Sequence, residues 1–144
     1  PESKVRARVS QMGLATVKMN TAAKDLSGGE KARLLMGLAT FQGPNLLILD
    51  EPTNHLDLTT IVWLESELRQ IRSSIVVISH DRRFLENISR STVWLDRGVT
   101  KRLDQGFGAF EEWRDKVLEE EERDLHKLGR QIVREEHWLR YGVT

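Results

Sequence analysis

The chain lacks several features that mark whole classes of protein. It has no cysteine and only three prolines in 144 residues. Without cysteine there is neither a disulfide nor a thiolate metal site, which fits a reducing compartment. No apolar run approaches the roughly 18 residues that a membrane-spanning helix needs, so we expect no membrane insertion. These absences favour a cytoplasmic protein.

A phosphate-binding loop of the common type is also absent. None of the ten glycines is followed by lysine, so the sequence contains no G-x-x-x-x-G-K-[ST] motif. The net charge does not indicate a class of binding partner, because the 22 basic and 22 acidic side chains cancel. A balanced chain does not have the strongly basic face of an autonomous nucleic-acid-binding domain.

A glycine turn precedes the first strongly apolar helical pattern. Ser27-Gly28-Gly29-Glu30 leads into a segment ending near Phe41, whose apolar residues fill two faces, so we expect burial on most sides. Ser27 and Glu30 have the spacing of a capping box. A cap does not explain two consecutive glycines, which cost backbone entropy. Bare N–H groups at a helix N-terminus suit an approaching phosphate, so a cap and an anion site both remain open.

Two short apolar runs are followed by polar side chains that could bind a ligand or take part in catalysis. Leu46–Leu49 is followed by Asp50 and Glu51, and Ile75–Ile78 is followed by Ser79 and His80. Such runs predict parallel strands buried on both faces, with ligands at their carboxyl ends. One carboxylate could hold Mg²⁺ while the other orients a water molecule. The alternatives are an acidic solvated turn and a structural histidine.

Further helices and a hairpin complete the expected architecture. A first helix should end at Gly13, and Asp57 should cap a helix that continues to about Ile71. Asp81 has the same capping role before a shorter helix, and two strands around Arg97-Gly98 predict a hairpin. A last helical pattern runs from beyond Gly106 to about Tyr141, with apolar stripes at coiled-coil-like spacing.

Residues 26–81 together resemble the second half of an ABC-type ATPase domain, and the motif from Glu51 to Asp57 is typical of the ABC-F branch. The resemblance implies an α/β fold, namely an incomplete P-loop NTPase core that lacks the Walker A half, followed by a long α-helical linker. It also implies a core over residues 1–106 and the start of an interdomain linker over residues 107–144. Since Pro1 is an unusual first residue, we expect a longer parent protein.

The resemblance also assigns roles to the site residues. The signature turn would consist of Ser27, Gly28, Gly29 and Glu30, and it would grip the γ-phosphate of ATP bound to an opposing ATPase domain. Asp50 would position Mg²⁺, Glu51 would orient the hydrolytic water, and His80 would contact the γ-phosphate. The D-loop turn would consist of Asn54, His55, Leu56 and Asp57, at the dimer interface.

The resemblance leaves three alternatives for what the chain does. In the first, the chain is part of an ABC-F protein that binds and hydrolyses ATP and acts on the ribosome in translation, and its linker reaches towards tRNA. Its partner would be a second ATPase domain of the same or another chain. The second is the ATPase subunit of a membrane transporter, against which the linker helix argues. The third is a non-enzymatic remnant. Because no Walker A loop is present, we expect the isolated chain to be inactive.

Overall fold

The computed structural model describes residues 1–142. Their contacts divide the chain into two compact units, one from Pro1 to Ile88 and one that begins at Ser89. Within the described residues, no helix combines the length and the apolar character that crossing a membrane requires. The predicted division of the family domain at residues 106 and 107 stays a prediction.

The first unit opens with two helices. Helix α1 spans Glu2–Gln11 and helix α2 spans Gly28–Thr40, with two short 3₁₀ turns between them. The chain leaves α1 at Gly13, whose φ of 86° lies in the left-handed region that glycine adopts most easily. The predicted end of the first helix and the predicted start of the second are therefore confirmed.

A parallel pair of strands forms the centre of this unit. Strand β1 (Leu46–Asp50) pairs with strand β2 (Ser74–Ile78), and the register places Asp50 beside Ile78. Helix α3 (Leu58–Gln70) connects them, and helix α4 (Arg82–Ile88) follows β2. Among residues 1–142, β2 pairs with no strand other than β1, as expected for its outer edge.

The core lies where α3 and α4 pack together with α1 and α2. Its buried members come from all four helices or their ends, and they are Met12, Met36, Leu64, Leu68 and Phe84. The inward face predicted for α3 is confirmed, because Ile61 and Ile71 also pack against this cluster. Residues from β1 and β2 cover it from the sheet side.

Burial on both faces of the strands was a wrong prediction. The bare sheet face consists of Leu46, Ile48, Val76 and Ile78, which are between 48% and 66% exposed. Burial of α2 on most sides was also wrong, since Leu35 is 64% exposed. The physical reason is the same in both cases. An apolar run shows that a face can be buried, but within residues 1–142 only one face of each element has a covering layer.

The second unit contains a hairpin and a long helix. Strands β3 (Thr92–Asp96) and β4 (Val99–Leu103) are antiparallel, and Arg97 and Gly98 both have positive φ, as a two-residue hairpin loop requires. Helix α5 runs from Phe110 to Tyr141. The predicted hairpin and long helix are both confirmed.

The hairpin packs against the first turns of α5 through aromatic rings. Trp94 makes edge contacts with Phe110 and with Trp113, each with ring centroids 6.1 Å apart. On the same side, Lys101 and Arg97 both pair with Glu121 of α5. The Lys101 ammonium beside Glu121 lowers the pKa of that carboxyl, and Arg97 contributes in the same direction.

Candidate functional site

Glu51 and His80 lie side by side at the carboxyl ends of the two parallel strands. The backbone N–H of Glu51 donates to the carbonyl of Ile78 at 2.8 Å, which continues the strand pairing by one residue. Glu51 Oε2 accepts hydrogen bonds from the backbone N–H of His80 at 3.2 Å and from the Ser79 hydroxyl at 3.4 Å. Its Oε1 lies 3.5 Å from His80 Nε2. The structure therefore brings the two predicted catalytic side chains together.

The two side chains differ in exposure. The Glu51 side chain is 22% exposed, whereas the His80 side chain is 99% exposed. Glu51 also adopts a φ of 46°, a left-handed conformation that costs a non-glycine residue about 1–2 kcal/mol. Such backbone strain clusters at functional sites, where the surrounding structure enforces it. A carboxylate held by hydrogen bonds and an exposed imidazole beside it can together bind one small polar ligand.

Asp50 precedes this pair as the last residue of β1, and it is exposed. Within the described residues, no three His, Asp or Glu side chains are arranged to hold a metal ion. Protein sites for Mg²⁺ commonly use only one or two carboxylates and complete the shell with phosphate oxygens and water. The donor set here therefore fits Mg²⁺ only when a nucleotide supplies the remaining ligands.

The signature turn is a complete capping box. The backbone N–H of Glu30 donates to Ser27 Oγ at 3.2 Å, and the backbone N–H of Ser27 donates to Glu30 Oε2 at 2.8 Å. The latter bond is the main cause of a lowered pKa for Glu30, and the Lys18 ammonium adds to it. Within residues 1–142 the N–H groups of Gly28 and Gly29 have no acceptor. They are the groups that a helix start offers to an anion.

The D-loop turn is a series of tight hydrogen-bonded turns. The N–H of Asn54 donates to the carbonyl of Glu51 at 3.1 Å, and His55 has a φ of 63°. Asp57 caps α3, because the Thr60 N–H donates to its Oδ1 at 2.8 Å. Hydrogen bonds from the side chain and the N–H of Thr60 lower the pKa of Asp57. This chain of turns connects Glu51 to the start of α3.

The signature turn packs directly on the D-loop turn, which the sequence did not indicate. A Cβ on Gly28 would lie 2.8 Å from the His55 carbonyl oxygen, and a Cβ on Gly29 would lie 2.5 Å from Thr60 Oγ1. Real Cβ atoms do not approach other atoms so closely. Gly28 therefore fits the space that the D-loop turn leaves, and Gly29 fits against Thr60 of α3. Within residues 1–142 the signature turn makes no hydrogen bond or ion pair with Glu51 or His80.

A polar network between α3 and α4 was also missed. Asn87 Nδ2 donates to Glu65 Oε1 at 2.9 Å, and Arg69 Nη2 donates to the carbonyl of Asn87 at 3.1 Å. Glu65 is only 8% exposed. The one available signal was a glutamate on the inward side of α3, beside Leu64 and Leu68. The network ties the helix after the D-loop turn to the helix after His80.

Comparison with known proteins gives consistent results. A family model described as ABC transporter matches residues 2–54. The ATP-binding protein Uup of Caulobacter vibrioides is 38% identical over 138 residues, which is 96% of this chain and 22% of that protein. The energy-dependent translational throttle protein EttA of Haemophilus influenzae is 36% identical over 115 residues, or 80% of this chain and 21% of that protein.

A solved structure agrees with the sequence relatives in fold. An inward-facing ABC transporter assigned to the metal-chelate type superposes with a TM-score of 0.60 at 25% identity, over 71% of this chain and 42% of that one. The chain spans about a fifth of the length of the two curated relatives that it matches. The chain therefore belongs to the ABC-type ATPase family, in its ABC-F branch.

Proposed function

We propose that the chain supplies the signature, Walker B and switch elements of an ABC-F protein that binds and hydrolyses ATP and acts on the ribosome in translation. The pairing of Glu51 with His80 carries this proposal, because a carboxylate and an imidazole at adjacent strand ends can act on one phosphate. The relative named as a translational throttle supports the ribosomal setting. The cytoplasmic location and the tRNA-directed role of the helical linker rest on the same resemblance.

In this proposal each element acts at a different point of the nucleotide site. Glu51 orients the attacking water, with its carboxylate held by the His80 N–H, while the His80 imidazole reaches the γ-phosphate. Asp50 holds Mg²⁺, which neutralises phosphate charge when it is bound with the nucleotide. The phosphate-binding loop and its lysine come from a Walker A segment outside these 144 residues.

The signature turn acts on a second nucleotide. Its free N–H groups at Gly28 and Gly29 bind the γ-phosphate of ATP held by an opposing ATPase domain. The D-loop turn, Asn54–Asp57, faces the same partner. A second ATPase domain, in the same chain or another one, is therefore part of the working assembly.

The substitution Glu51→Gln in the full-length protein tests the catalytic part. The amide keeps an oxygen to accept the His80 N–H, but it cannot accept a proton. We expect ATP binding to be retained and turnover to fall by about 100-fold or more, since general-base catalysis contributes that much. Glu86→Gln, an exposed change on α4, should leave turnover unchanged.

Cosedimentation with ribosomes tests the biological setting. The Glu51→Gln protein should accumulate on ribosomes when ATP is present, because it binds the nucleotide without hydrolysing it. Ribosome binding that is the same with and without nucleotide, and the same in the wild type and in Glu51→Gln, would contradict the translational role. Copurification with a membrane complex instead would favour the transporter subunit, which the likeness to a solved transporter keeps as the second candidate. Wild-type protein without ATP-dependent turnover would leave the non-enzymatic role.

A further inference from the structure

We propose that Thr60 is a positioning residue that sets the distance between the signature turn and the D-loop turn, so that both engage the partner domain together. The inference rests on the proposed function, in which each turn faces that partner. Neither the capping box nor phosphate binding requires a residue on α3, yet the contact reaches α3 at Thr60. The side chain of Thr60 thereby gains a role beyond its own helix.

The geometry fixes Thr60 firmly. It is 4% exposed, and its N–H donates to Asp57 Oδ1 at 2.8 Å in the cap of α3. In a helix the branched Thr side chain has few rotamers. Its Oγ1 and Cγ2 would lie 2.5 Å and 3.5 Å from a Cβ on Gly29, so the hydroxyl defines how closely α2 can approach. Gly29 therefore fits against a buried side chain that has few rotamers.

The neighbouring contact at Gly28 has a different character. There the obstructing atom is the backbone carbonyl oxygen of His55, which lies inside the D-loop turn itself. The signature turn therefore rests on the D-loop turn at one point and on Thr60 at the next. A displacement of α2 away from α3 would move the phosphate-binding N–H groups relative to the D-loop turn.

A double-mutant cycle in the full-length protein tests the proposal. Gly29→Ala should push α2 from α3, lower the melting temperature and reduce kcat by about 10-fold to 100-fold, the scale of a 1 Å misplacement. The KM for ATP should change little, since the nucleotide binds to another segment. Thr60→Ala removes both obstructing atoms and leaves the new Cβ at 3.6 Å from the Cβ of residue 60. The double variant should then recover melting temperature and kcat together.

Three controls isolate the contact. Gly29→Ala combined with Thr60→Val should not recover melting temperature or kcat, because valine keeps the volume of the threonine side chain and loses only its hydroxyl. Gly28→Ala with Thr60→Ala should not recover either, because the obstacle there is a main-chain carbonyl. Gly129→Ala, in α5 with open space around it, should leave turnover unchanged.

The outcomes separate this inference from the proposed function. If the double variant recovers its melting temperature but not its kcat, the inference is overturned. That result would indicate that the Cβ at position 29 lowers kcat only by obstructing the phosphate. Normal kcat in Gly29→Ala, with a lowered melting temperature, would overturn it by showing that the contact serves only stability. Absence of ATP turnover in the wild-type protein would instead contradict the proposed function.

Discussion

At the scale of single residues, the candidate site depends on the backbone as much as on side chains. Glu51 and His55 both adopt positive φ angles, Glu51 directly after β1 and His55 within the D-loop turn. No local pattern announces such a conformation at glutamate. The carboxylate and histidine were predictable as types at strand ends, but the left-handed backbone that orients the carboxylate was not.

The strain at Glu51 gives a first stability prediction. Glu51→Gly and Glu51→Ala remove the same carboxylate, but only glycine adopts φ 46° without steric cost. We expect the glycine variant to be more stable by about 1 kcal/mol in urea unfolding, since the left-handed conformation costs other residues about that much. At Asp50, which lies in β1 without a positive φ, the order should reverse. If the glycine variant were the more stable one at both positions, that result would contradict backbone strain at Glu51.

At the scale of elements, the helix caps were predicted correctly from local sequence, whereas the burial of the strands was not. The caps at Ser27, Asp57 and Asp81 were predicted correctly because each depends on atoms within three residues. The bare sheet face was predicted to be buried because its side chains are apolar, yet burial depends on whether another layer covers them. The contact between Gly29 and Thr60 lay outside prediction for a related reason, since the two residues are brought together only by the fold.

The polar network between α3 and α4 makes a prediction at this scale. Asn87→Ala leaves the buried Glu65 without the hydrogen bond from Asn87 Nδ2. Arg69 still lies 3.6 Å from the other carboxylate oxygen of Glu65, so we expect the free energy of unfolding to fall by about 1–2 kcal/mol, the contribution of one hydrogen bond. Chemical denaturation of the purified protein measures it. Glu86→Gln on the same helix is the control, and equal stabilities for the two variants would contradict the network.

The ion pairs between the hairpin and α5 predict a dependence on pH. The pKa of Glu121 lies below its ordinary value of 4.5, so its pairing stabilises the fold above the unfolded-state pKa and is lost as pH falls through the folded-state pKa. Between pH 6 and pH 3 the melting temperature should therefore fall less in Glu121→Gln than in the wild type. Glu120→Gln removes the same charge next to it and should behave as the wild type does.

At the scale of the whole molecule, the chain holds the groups that act on a phosphate in the proposed function, but its sequence lacks the loop that would cradle that phosphate. Glu51, His80 and the signature turn are present, whereas no glycine is followed by lysine in the sequence. Phosphoryl transfer depends on positioning and on charge neutralisation by all of these parts together. Family and fold could be predicted from motif order alone, because that order was specific.

The 144-residue chain alone should therefore not hydrolyse ATP above background. In the proposed function the phosphate-binding loop and its lysine help to position and neutralise the nucleotide, and the sequence lacks that motif. Losses from such sets of groups are far from additive. Phosphate release from purified chain, with and without Mg²⁺, is the measurement. Steady turnover that disappears in Glu51→Gln would contradict this expectation, whereas turnover unaffected by that change would indicate a contaminating enzyme.

The contact of Gly28 with the His55 carbonyl has a consequence for any library built on these turns. A carbonyl is present whatever residue occupies position 55, so no partner substitution can make room for a side chain at position 28. Selection from a library randomised at 28, 29, 55 and 60 should therefore return glycine at 28 in every background. Position 29 should instead vary jointly with position 60. One glycine is specified by the path of the main chain, and the other by a single neighbouring side chain.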